Sequence, residues 1–131
     1  MRGLSEKDMK ELNVTELYGF FTATLSHLGI CLLTCDREEI AYRIFEEFDS
    51  DCTSFLHQSN LRVLLEGGLI SFEIYEASLR LVAEFRALEG TALWNPDAVT
   101  AAEAWRKVLE LGDTVRGMVE AHESFRGRTD V

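Results

Sequence analysis

A chain of 131 residues, 47% hydrophobic and 27% charged, has the balance of a soluble globular domain; with one proline and no low-complexity tract it leaves little scope for disorder away from its ends. Asp and Glu number 23 against 13 Lys and Arg, and the formal net charge of −10 argues against nucleic acid or an anionic membrane as a direct ligand and favours a basic protein partner. Three cysteines, Cys31, Cys35 and Cys52, imply no disulfide framework and suit a reducing, cytoplasmic setting.

Residues 1–16 mix Arg2, Lys7 and Lys10 with Glu6, Asp8, Glu11 and Glu16, unlike a signal peptide. Residues 4–12 predict a short helix with Ser5 as N-cap. Asn13 or Thr15 then caps an uncharged stretch from Leu17 to Cys35. That stretch just reaches the length of a membrane span. Thr22, Thr24, Ser26, His27 and Thr34 interrupt it, however, and no Lys or Arg flanks it closely, so it predicts a central buried helix over about 15–35. Thr15, Gly19, Thr22, Ser26 and Gly29 recur at helical spacing and predict a stripe where a neighbouring helix approaches closely.

Asp36 caps a predicted helix over 37–49, with Ile40, Ala41, Ile44, Phe45 and Phe48 on its core face. Asp51 or Thr53 restarts the chain, and a helix within 54–66 stops at Gly67-Gly68. Ser71 opens the clearest helix, 72–89, closed by Gly90. Ile74, Ser78, Leu81, Val82, Phe85 and Leu88 face inward, with Glu76–Arg80 and Arg80–Glu84 at pairing distance outside. Trp94 pins the following loop, in which Asn95-Pro96 signals a turn or cap. Thr100 with Glu103 reads as a capping box for a last helix over 101–123. There Trp105, Val108, Leu109, Val115, Met118, Val119 and His122 are the candidates to face inward, and Gly112 and Gly117 invite a bend. Residues 124–131 read as a loose tail. With no strand-period alternation, repeat or linker, the expectation is a single-domain all-α bundle of five or six helices around the central segment.

No catalytic, cofactor or metal signature is present. Cys31 and Cys35 lack further ligands and read as core residues. His27, His57 and His122 fall in separate segments without Glu-x-x-His or His-Glu-x-x-His spacing, and His27 reads as a hydrogen-bonded core residue. Asp49-x-Asp51 begins like a calcium loop, but Ser54 and Asn60 occupy the positions that need Gly and Glu. The expectation is therefore a protein that is not an enzyme and holds no cofactor or metal.

The strongest constellation is electrostatic. Residues 36–51 hold seven acids and two bases, half of the chain's net charge. Helical spacing puts Glu38, Glu46 and Asp49 on one stripe without a base, with Tyr42 in its middle, and makes Glu39, Arg43 and Glu47 a self-pairing ladder. Glu46, Glu47 and Asp49 also crowd the predicted helix C-terminus, where the dipole disfavours negative charge by about 0.3–1 kcal/mol per group. A local rule broken without compensation often marks function, and a tyrosine among acids is a typical binding anchor. The expected partner-binding residues are Glu38, Tyr42, Glu46, Glu47, Asp49 and Asp51, against the simpler reading of a solvated acidic face.

The run LLEGGLISFEIYEASLRLVAEFRALEG, followed by LWNPDAV and WRKVLELGDTV, resembles small bacterial immunity proteins of polymorphic-toxin and contact-dependent inhibition systems. The resemblance covers about the C-terminal half. It implies a cytoplasmic protein that blocks one cognate toxin, often a basic nuclease. The rival expectations are an acidic secretion chaperone or adaptor, to be recognised by an apolar groove, and a small helical-bundle enzyme. The enzyme would show a deep pocket joining two of His57, His122 and the cysteines.

Overall fold

In the computed structural model, which describes residues 13–129, Asn13 caps the first helix by accepting the Glu16 amide at 2.8 Å. The helix predicted over 4–12, with Ser5 as its cap, lies outside the described residues. Helix α1 (Val14–Leu25) buries Leu17, Phe21, Thr24 and Leu25. It is much shorter than the predicted central helix. Thr22, Thr24 and Ser26 turn their hydroxyls back onto the carbonyls of Gly19, Phe20 and Ala23, a competition that weakens a helix end. The Ser26 carbonyl is then taken by Arg43 Nη2 at 2.7 Å, and Gly29 is fully extended. The chain re-enters a 3₁₀ turn at Ile30–Thr34, anchored by the Ile30 amide donating to Asp113 Oδ2 at 3.0 Å. This break overturns the expected small-residue stripe. A side chain added at Gly19 would meet nothing within 4 Å, and Ser26 is exposed. Cys31 is exposed and is not a core residue, whereas Cys35 is half-buried and packs against the core.

Asp36 accepts the Glu39 amide at 2.8 Å and starts α2 (Arg37–Ile40). No restart follows at Asp51 or Thr53. The chain instead widens into a π-helical segment (Ala41–Phe48) and tightens again into α3 (Asp49–Phe55), forming one uninterrupted helical rod. Ile40, Ile44, Phe48 and Cys52 are its buried residues. His57 breaks the rod and caps α4 (Gln58–Glu66) through its Nδ1, which accepts the Ser59 amide at 3.1 Å. The stop at Gly67-Gly68 is as the sequence signals. Gly68 takes φ +76°, the left-handed conformation glycine adopts without strain, and the Leu69 amide closes back onto the Leu64 carbonyl at 3.0 Å.

Ser71 caps α5 (Phe72–Ala87), and the predicted inward residues are buried, Leu88 just past its end included, except half-buried Val82. Arg80 pairs with Glu84 at 3.3 Å; the Glu76–Arg80 pair does not form. Asn95 caps α6 (Pro96–Ala101), with Pro96 at its first position. Thr100 therefore sits inside α6 instead of capping the last helix, and the extended Ala102 separates the two. Helix α7 (Glu103–Thr129) runs unbroken through Gly112 and Gly117 and through residues 124–129 of the predicted loose tail. Tyr18 on α1 holds its far end: its hydroxyl donates to Glu123, and Arg126 lies over its ring at 5.2 Å.

Helix α7 packs on α5, α6 and α1, and α1 also contacts α3 and α4. Between them lies an aromatic layer. Trp105, wholly buried, stands 5.6 Å from Phe45, 5.9 Å from Phe85 and 5.9 Å from Trp94, and Phe48 meets Phe85 edge-on at 4.8 Å. Trp94 pins the loop before α6, residues 91–95, as expected. Among the described residues no helix is long and apolar enough to cross a membrane.

Candidate protein-binding face

The π-helical segment decides what the acidic stretch presents. Its hydrogen bonds close over five residues instead of four, so side chains five apart become neighbours. Tyr42 therefore comes beside Glu47. The Glu47 carboxylate acts first, as hydrogen-bond acceptor and then as charge, followed by burial and the charges of Glu46 and Glu39, and together they raise the phenol above its ordinary range. Tyr42 is half exposed, and Glu38, Glu39 and Glu46 are exposed around it.

The two bases of this stretch do not neutralise it. Arg37 is bound to Asp97 of α6 at 2.9 Å, and Arg43 is spent on the Ser26 carbonyl. The ladder of Glu39, Arg43 and Glu47 is thus not formed. Among the described residues, Glu38, Glu39, Glu46 and Glu47 make no ion pair.

Two predicted members leave the face. Asp49 lies in the rod interior, not at a helix end, so the dipole argument for crowded acids does not apply to it. Arg86 of α5 pairs with its carboxylate and donates to its carbonyl at 3.0 Å, to Thr53 Oγ1 at 3.0 Å and to Cys52 Sγ at 3.3 Å. Burial works against the Arg86 charge, but the hydrogen bond to Asp49 and the neighbouring acids outweigh it and raise its pKa. Asp51, half-buried, turns toward His27 and Glu47. Burial first, then the Glu47 charge, raises its carboxyl pKa, with His27 opposing. His27 is not a hydrogen-bonded core residue: it is half-buried, and among the described residues its ring makes no hydrogen bond. Glu39, whose charge acts on Tyr42, joins the face. Its signal was in the sequence but was absorbed by the expected ladder.

A shallow groove of about 400 Å³ lies between α3 and α5, lined by Leu56, Leu79, Val82 and Ala83 with Cys52, His57 and Arg86. It joins a cysteine to a histidine, but the chemistry is not that of a nucleophile. Burial pushes the Cys52 thiol up to about 11, and the His57 ring is engaged as a helix cap. His122 reaches the Gly68 carbonyl elsewhere, at 3.4 Å. The Cys52 shift has a consequence for stability. The folded thiol keeps its proton to about pH 11, whereas the unfolded one loses it near 9. The contribution is complete below pH 9 and is lost as pH rises towards 11. Urea unfolding is expected to show that loss, reduced in Cys52→Ala. A thiol reagent should modify Cys31 first and Cys52 only on unfolding.

The fold and this face define an acidic helical bundle presenting a tyrosine among carboxylates that make no ion pair among the described residues. Comparison with protein families, with curated proteins and with solved structures finds no match for the chain.

Proposed function

We propose that this protein is a non-enzymatic binding module, an immunity protein that neutralises a basic cognate toxin in the cytoplasm through the face formed by Glu38, Glu39, Tyr42, Glu46 and Glu47. The observation that carries the reading is Tyr42, half exposed among carboxylates that no base pairs among the described residues. An aromatic side chain supplies contact area at the centre of an interface, and the surrounding acids steer a basic partner and set its orientation. A basic nuclease presents the matching charge, and masking its nucleic-acid surface would inhibit it.

The test is whether a neighbouring gene encodes a basic toxin, and whether that purified protein binds this chain. Affinity is expected to fall with salt. Tyr42→Ala should weaken it about 30-fold, the size of a hot-spot loss near 2 kcal/mol, and reversal of Glu38 and Glu46 to Lys should slow association. Unchanged affinity in both variants would overturn the assignment. Asp49 is unsuitable for such a reversal because it would break the pairing with Arg86. A second reading, an adaptor, draws on the apolar groove between α3 and α5, and there the Tyr42 variants would bind normally.

A further inference from the structure

At the junction where the π-helical segment tightens into α3, Glu47 and Asp51 stand one turn apart on the rod. Opposite them is His27, carried by the loop after α1. One donor atom from each of the three half-buried side chains lies within 4.8 Å of the other two. We propose that these residues bind a divalent first-row transition ion, with zinc as the type, independently of whether the acidic face binds a protein.

Two surface acids alone would carry no such claim. Here an imidazole from a different segment completes the set, and the donors are unspent. Among the described residues no hydrogen bond uses the His27 ring or the Asp51 carboxylate. The scaffold also holds the two halves of the site together. Arg43, on the same rod, grips the Ser26 carbonyl at 2.7 Å, next to His27, and so fixes the loop against the helix. Tyr42, brought beside Glu47 by the π-helical pitch, is the outer group that would orient a ligating carboxylate.

The donor chemistry selects the ion class. Imidazole nitrogen with carboxylate oxygen suits zinc and its first-row neighbours, whereas calcium and magnesium take oxygen donors in larger number. Around tetrahedral zinc, ligands at about 2.0–2.2 Å stand roughly 3.3 Å apart. Water would fill the remaining position, as at open zinc sites. The bound ion would clip the 26–29 loop to the rod and steady the carboxylate on which Tyr42 rests.

The experiment is titration of the full, untagged, metal-free chain with zinc and, for its visible spectrum, cobalt. The expected result is one ion per chain with micromolar affinity and a rise in thermal stability. His27→Gln and Asp51→Asn should each weaken binding at least about 10-fold. His57→Gln and His122→Gln should leave it unchanged. Binding that is absent, not one to one, indifferent to His27→Gln, or displaced equally by magnesium or calcium would overturn the proposal. Circular dichroism of each metal-free variant separates lost ligation from lost fold.

Discussion

Trp105→Ala is expected to cost about 3–5 kcal/mol of folding stability, the range for removing the largest side chains from a core. Trp105 has no exposed surface, and its ring meets Phe45, Phe85 and Trp94 with centroids 5.6–5.9 Å away. Those rings come from the rod, from α5 and from the 91–95 loop. One truncation therefore opens a cavity where three segments converge. The indole N–H also donates to the Leu93 carbonyl at 2.6 Å. Trp105→Phe, which keeps a ring but leaves that carbonyl unpaired, should fall between, at about 1–3 kcal/mol. Urea unfolding followed by far-ultraviolet circular dichroism measures both. A loss under about 1 kcal/mol for the alanine variant would mean that this layer does not hold the bundle together.

Gly112→Val should destabilise by about 3 kcal/mol, the upper part of the usual range for overpacking. A Cβ at this position would stand 2.8 Å from the Leu28 carbonyl oxygen and 3.4 Å from its carbon. The obstacle is backbone, and the backbone there cannot yield cheaply. Leu28 is wholly buried, and its loop is tied by Arg43 to Ser26 on one side and by Asp113 to Ile30 on the other. Gly117, five residues on in the same helix, is the control. Nothing lies within 4 Å of its added Cβ, so Gly117→Ala should gain up to about 1 kcal/mol from helix propensity alone. The same unfolding curves test the pair, and equal effects at the two glycines would contradict the close approach of α7 to the Leu28 loop.

Signals confined to a few residues were legible in the sequence. Asp36, Ser71 and Asn95 each cap the helix they precede, and Gly68 ends α4 in the left-handed conformation. The core face of α5 follows from its 3.6-residue period because nothing distorts that helix. Around the acidic stretch this reasoning fails for a physical reason. Its period is not 3.6 between Ala41 and Phe48, so residues placed on one stripe diverge and Tyr42 faces Glu47. The partners that remove Asp49 and Asp51 from the face, Arg86 and His27, arrive from distant segments. Loss of Arg43 from its expected ladder has the same origin, since the carbonyl it binds is free only because α1 ends early. Tyr42, Glu38 and Glu46 were legible because exposure and charge survive a change in helical pitch.

If the proposed function holds, a protein partner docks on the face around Tyr42, and amide hydrogen exchange of this chain, free and bound to that partner, locates the contact. Contact with the partner is expected to slow exchange across 38–47 and to leave 79–86 unchanged. Protection confined to 52–58 and 79–86, with 38–47 exchanging as in the free protein, would place the partner in the groove and contradict the claim.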